Sequence, residues 1–572
     1  MRTRLRHVGQ RLAGRGQRFP SNDRERAGRR LPAFILVALL VIAGITIKDR
    51  GTDPAVSALS ATHAVDLAPV GPSPDARSAT WYCAGGTAQP GGPADHLVVV
   101  TNTADEGATG TIQAFPNSAQ PLPPQPITVP ARSQLSIRVG DLVNVDYAAA
   151  MVETRGGTVI VEHEVRGPNG GHDQARCASR ASATWYLPWG MTTTGQTLRL
   201  ALLNPFPGDA VIDITFDTED GYRSPENFQS LLVPAHRLVV LNIEDVVTRR
   251  QRVSTRIVAR SGRLVADQLQ TVGGSEGGQA IDLTPGAPSP AVGWYFADGR
   301  LDPGTVERFV VFNPGDRPAV ASVTILTGTG SAAQGLPFQL RIPAGTATEL
   351  TLNDEPRVPK PLAHATLIQA EGDQLIVAER LLITGQYIPA APSTAPANRS
   401  AATTTTTAPA TPGAPGTPNT AAPTTTAPAA PAQPPLPPLP AGLAGSLGEP
   451  LVASTWAVGL PAAPPGTAAG STLVSVFNPV GPGKVDVKVS VLAASGTKVL
   501  REEAISPGHR IDVAVPTASG SALSVEASGR VVVSRIGSLS EPAGLSSEPA
   551  MPVSSTATVP DRVHTAGADD SG

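Results

Sequence analysis

The residue types that most often carry chemistry are sparse in this chain. Only nine His occur among 572 residues. Glu162, His163 and Glu164 stand in a row and would make a donor set for a divalent cation. His163-Glu164 also begins a zinc-binding helix motif, but Gly167 stands where the second His belongs. If the segment is a strand, His163 points to the opposite face from its neighbours, so one ion cannot easily take all three. Phe216-Asp217-Thr218-Glu219-Asp220-Gly221 sets oxygen ligands beside a glycine, which is calcium chemistry. The aligned turn Ala493–Thr497 lacks those carboxylates, so an acidic hairpin is the plainer reading. No nucleophile elbow, phosphate loop, dinucleotide fingerprint or complete zinc motif is present. The expectation is a chain that is not an enzyme, with no catalytic residues, no metal and no cofactor.

The aromatic residues are more informative. Trp81-Tyr82, Trp185-Tyr186 and Trp294-Tyr295 could be stacking platforms for sugar rings, or could fill the cores of their own modules. With Trp456 they open four copies of one pattern. A strand-like run follows each Trp and ends at Asn102, Asn204, Asn313 or Asn478, at spacings of 21, 19, 19 and 22 residues. A Pro recurs beyond each Asn, at Pro130, Pro234, Pro343 and Pro507, and Asp141, Asp245 and Asp354 follow the first three. Such agreement between separate landmarks defines an internal repeat. Within a copy the apolar period is two, as in Val485, Val487, Val489 and Val491, which argues strands with one buried face. Each copy ends on an apolar strand followed by a polar residue: Val161-Glu162, Ala266-Asp267, Ala378-Glu379 and Val533-Ser534. Glu379-Arg380 reads as a strand-end ion pair, and copies set in a row would keep these carboxylates apart.

Cys83 and Cys177 are the only cysteines. A disulfide would tie the start of the first copy to its end, worth about 4–5 kcal/mol in the chain-entropy model. Two free buried thiols are the alternative, and an oxidising exterior favours the bridge.

Composition places these copies in a topology. The formal charge of -3 averages unlike segments, because ten Arg stand in residues 1–30 against Asp23 and Glu25. Leu31–Ile47 is an uncharged run of 17 residues, at the short edge of a bilayer span. The basic excess before it keeps the N-terminus cytoplasmic and exports the rest. A cleaved signal peptide is the rival reading, supported by small residues near Ala58–Ala61. The exported part is acidic, which argues against nucleic acid as a partner. Residues 392–447 are mostly Ala, Pro and Thr and read as a stiffened, disordered spacer.

The fold expected is all-β: tandem β-sandwich modules of immunoglobulin-like type after one transmembrane helix, with a disordered Pro/Thr/Ala-rich linker. The boundaries are a cytoplasmic tail 1–30, anchor 31–47, stalk 48–78, modules 79–178, 179–283 and 288–391, linker 392–447, module 448–542 and a disordered tail 543–572.

The basic tail and anchor, the opening Trp81-Tyr82-Cys83-Ala84-Gly85-Gly86, the Asn-Pro turns and the strand end Ile376-Val377-Ala378-Glu379-Arg380 together resemble an actinobacterial, membrane-anchored family catalogued as domain of unknown function 5719. The resemblance covers most of residues 30–390 and again 450–540. It implies an envelope protein and brings no catalytic residues. The fourth copy departs from the pattern, with Trp456-Ala457 for Trp-Tyr and Ser534 for the acid. The function expected is therefore a single-pass, non-enzymatic scaffold of the cell envelope whose modules bind cell-wall glycan or a protein partner. The alternative is an accessory subunit of an envelope polysaccharide-assembly complex.

Overall fold

The period-two pattern becomes strands throughout, and the chain is all-β. A computed structural model describes residues 66–560 apart from 157–158, 274–278, 328–329, 332–336, 388–435, 463–469, 480–482, 517–520 and 541–542. The basic tail, the apolar run 31–47, most of the Pro/Thr/Ala segment and the last twelve residues lie outside the described residues.

Module 1 shows the plan. Its strands are β1 (Ser78–Cys83), β2 (Asp95–Asn102), β3 (Ala108–Pro116), β4 (Gln125–Val129), β5 (Ser133–Arg138), β6 (Ala148–Arg155), β7 (Val159–Arg166) and β8 (His172–Arg176). They form two antiparallel sheets, in the orders β1-β6-β3-β4 and β5-β2-β7-β8. Alternate side chains of both sheets, among them Trp81, Val98, Val100, Ile112, Val152 and Val161, meet in one core. The same two orders recur in the second and third modules, and closely in the fourth. There one long strand, Ala522–Ser540, serves both sheets.

The repeated landmarks are clasps. Asn204 is fully buried, and its Nδ2 donates to the carbonyls of Gly208 and Val233. Its Oδ1 accepts from the Phe206 N–H. Asn102 and Asn313 make the same three kinds of bond, so one amide ties the end of a strand to the next turn and to the strand before the recurring Pro. A buried amide satisfied this fully holds the crossing where the chain changes sheet. Asp141, Asp245 and Asp354 each end a one-turn 3-10 helix.

The modules do not lie in a row. Each is finished by a short closing strand: β8, then Gln279–Pro285, Gly442–Leu447 and Ala543–Pro549. These four strands pack side by side in a closed ring, each on the next and the fourth on the first. Apolar cores continue across the boundaries, with Ala457 and Met551 of module 4 in the core of module 1, and Phe115 of module 1 in that of module 2.

Two boundaries move as a result. Gly442–Leu447 was expected within the linker but closes module 3, pairing with Val377–Thr384. The Pro/Thr/Ala segment is thus an insertion in that module, and its two ends sit on neighbouring strands. It does not hold the fourth module at a distance. The expected tail from 543 instead supplies Ala543–Pro549 and Met551–Pro552. The described part of the stalk also docks. The Gly71 N–H donates to Pro552 O, and the Ser554 N–H donates to Gly71 O, both at 2.8 Å.

Candidate functional site

The ring gathers the strand-end polar residues that a row would have separated. Closing strands place Asp173 and Asp282 at equivalent positions near the axis, as their pairing with Val165 and Gln270 shows. Each acid reaches the next closing strand. Asp173 Oδ2 accepts the Leu283 N–H at 2.7 Å, and Asp282 Oδ1 accepts the Gly445 N–H. One layer out, each module's terminal acid meets the segment after the Trp of the module before it. Asp267 Oδ2 accepts the N–H groups of Ala84 (2.7 Å) and Gly85 (3.0 Å), and Glu379 Oε2 accepts that of Trp189 (3.0 Å). Glu162 closes the circle against Gly459 of module 4, where a β-carbon would stand 1.6 Å from Oε2. Arginines complete the network. Arg535 pairs with Glu162 at 2.9 Å, and Arg176 pairs with Glu449 (2.6 Å) and Glu548 (2.9 Å). Arg380 pairs with Asp298 at 2.8 Å and approaches Glu307. Glu379 and Arg380 do not pair with each other, because neighbours on a strand point to opposite faces.

Burial perturbs these groups strongly. It pushes Asp267 up to about 7 despite its two N–H donors. Burial likewise raises Asp282 to about 6, against Thr284 and the Gly445 N–H, and Glu548 to about 7, against Arg176. Burial and then the neighbouring Asp282 carry Asp173 and Glu379 well above the usual range. Burial holds His96 down at about 4, and burial with the adjoining His96 holds His163 well below its ordinary value. For Glu164 burial alone would raise the carboxyl, but His172 and Arg166 bring it to about 2.

Such clustering often marks an active site, and here it lies inside the contacts between modules. Every member is buried, and the axial cavity beside Arg176 and Glu548 measures about 20 Å³, room for one water. Leu67, Ala68 and Pro69 line that cavity, so the N-terminal strap caps it. In this structure the acids join modules.

A pH dependence follows. Up to about pH 7 folded Asp267 and Glu548 still hold protons that the unfolded chain has released, and burial acts in the same direction on Asp173 and Glu379. Folding then takes up protons, so stability falls as pH rises. Below 6.5 the buried neutral His96 and His163 act in the opposite sense and blunt the trend. Melting temperatures should therefore decline as pH rises from 6.5 through 7, and a rise over that range would contradict this account.

The other candidates resolve as follows. Glu162, His163 and Glu164 diverge: Glu162 goes to Arg535, His163 to His96 (3.3 Å) and Asp267 (3.7 Å), Glu164 to His172 and Arg166. The acids of 216–221 meet cationic and N–H partners, with Asp217 on Arg252, Asp220 on Arg250 and Glu219 on the N–H groups of Gln251 and Arg252. Cys83 and Cys177 form a disulfide with Cα atoms 4.7 Å apart. Tyr82 pairs with Ala178 beside it, so the bridge fastens the end of module 1 to its first strand.

The Trp-Tyr pairs are core. Trp81, Trp185 and Trp294 are 0, 2 and 1% exposed, and the indoles of Trp185 and Trp294 donate to Leu264 O and Ile376 O. Tyr186 and Tyr295 are buried and Tyr82 half-buried, with Tyr295 pushed up to about 12 by burial. A large aromatic that bridges two sheets contributes most when water is excluded from it, and these faces are covered by protein. Sequence reading passed over Tyr222, which follows the Asp220-Gly221 turn. It is 62% exposed, the one aromatic among the exposed large apolar side chains of the described residues. The available signal was a Tyr outside the Trp-Tyr pattern.

The model of a family of unknown function, DUF5719, matches residues 155–433, which hold module 2 and most of module 3. These are the copies that keep the whole repeat pattern, and the match supports the resemblance drawn from their motifs. No curated protein matches the chain. Among solved structures, a tetra-tandem repeat from the extending region of a large adhesion protein is 11% identical, covering 83% of this chain and 99% of that one. Its TM-score is 0.09, and a likeness so low carries no argument.

Proposed function

We propose that this chain is a non-enzymatic envelope protein, anchored by Leu31–Ile47 with its N-terminus inside, that displays a rigid ring of four sandwich modules outside the membrane as a scaffold for glycan or protein. Each module has the size and two-sheet build of an immunoglobulin-like sandwich. The observation that carries this reading is ring closure. It uses the strand-end carboxylates and their arginines internally and leaves the outer sheet faces for contact. The disulfide fits an oxidising exterior.

Topology and docking are tested together. A membrane-impermeant amine reagent applied to intact cells should label the exposed Lys484 and Lys498. Exchange of Leu31–Ile47 for an unrelated span should then preserve whatever envelope phenotype deletion of the chain produces. Absence of label overturns the topology. Loss of function on exchange shifts the reading to a subunit that docks through its span.

A further inference from the structure

Strand Ala210–Thr218 turns Asp213, Thr215 and Asp217 to the outer face of the first sheet of module 2. Strand Val253–Ser261 sets Val258, Arg256 and Ser254 directly opposite them. The hairpin returns along Gly221–Arg223 and brings Tyr222 opposite Asp217. Gln229 and, from module 3, Phe312 and Gly345 complete a groove of about 320 Å³. That is the low end of the roughly 300–1,000 Å³ of small-ligand sites.

The polar groups are held in place before any ligand arrives. Asp213 receives the Ser230 N–H at 2.8 Å and Arg260 at 2.6 Å. Asp217 receives Arg252 at 2.6 Å and the Ala347 N–H of module 3 at 2.9 Å. Gln229 Nε2 donates to Ile214 O. Both carboxylates are thus neutralised by arginines, which removes selection for a cationic ligand. Arg256 Nε is buried without a partner.

From this arrangement we infer that the groove binds a stretch of cell-wall glycan, with the Tyr222 ring against the C–H face of a sugar, Asp213 and Asp217 accepting from its hydroxyl groups, and Gln229 and Arg256 donating to its oxygens. An exposed aromatic beside fixed carboxylate, amide and guanidinium groups matches the alternating apolar and hydroxylated surface of a sugar ring. The ion-paired carboxylates suit an uncharged polyhydroxyl chain better than a nucleotide or a basic peptide. This deepens the envelope reading above by assigning a ligand class and a place to it.

The test is co-sedimentation of the detergent-solubilised full chain with isolated, insoluble cell-wall polysaccharide. Tyr222→Ala should weaken retention about tenfold, the scale of one lost aromatic contact. Tyr222→Trp should retain binding, and soluble wall fragments should compete. Because Tyr222 is mostly exposed, both variants should melt with the parent, which separates lost contact from lost fold. Equal retention of parent and Tyr222→Ala overturns this site. No retention of a folded parent that labels correctly in cells also overturns it, while leaving the scaffold reading intact.

Discussion

Arg535→Ala is expected to open the ring at the seam between its first and last modules. The guanidinium is wholly buried and bonds Glu162 across a sequence separation of 373 residues. Without it Glu162 keeps only the Gln174 amide, at 3.1 Å, inside a sealed interface. A buried charge left alone in this way costs about 3–5 kcal/mol. The variant should melt well below the parent and become sensitive to protease at the module 1–module 4 contact. Adding Glu162→Gln should recover part of the loss, because the stranded charge is then gone. Equal melting of parent and single variant would mean that the apolar contact of Ala457 and Met551 closes the ring unaided.

Removal of the disulfide by Cys83→Ser with Cys177→Ser should have the next largest effect. The bridge closes a loop across 94 residues of separation that holds nearly all of module 1. Its loss costs about 4–5 kcal/mol through freedom returned to the unfolded chain. The cost should fall on module 1, so calorimetry should show an early transition split from the main one. The parent in reductant should show the same split. A single unshifted transition would mean that packing against modules 2 and 4 holds module 1 without the bridge.

Much of the architecture was legible because it is local. Alternation in Val485–Val491 and the recurring Trp, Asn and Pro landmarks marked the strands, the turns and four equivalent units. The ring was not legible, for a reason visible in its closing strands. Four of them converge on one axis, where there is little room. Gly445 is required because a β-carbon would lie 2.5 Å from Asp282 Oδ1, and Gly544 because it abuts the His172 backbone. Crowding therefore selects Gly-Leu-Ala-Gly-Ser-Leu at 442–447 and Ala-Gly-Leu-Ser-Ser-Glu-Pro at 543–549. Neither carries the β-branched, alternating signature of a strand, and both read as linker or tail. The carboxylates showed the complementary failure. Glu162, Asp267 and Glu379 were conspicuous as a repeated feature, but their partners lie in other modules, beyond any local spacing. The Trp-Tyr pairs posed a different problem, since an aromatic built for a core and one built for a sugar look alike in sequence. Only burial separates them.

The seam at Gly71 has a consequence for how such a molecule could be rewired. The strap runs beside Val553, and Asp66 and Pro560 line the same cavity, so the first and last described residues border one space. Module 3 already draws its closing strand from beyond a long insertion, which shows that a module need not be covalently continuous. The ring is therefore a natural subject for circular permutation. A chain bridged from Pro560 to Asp66 and reopened within 388–435 would interrupt none of the strands described above. The position at which this ring is cut into a linear sequence is separable from the structure it forms.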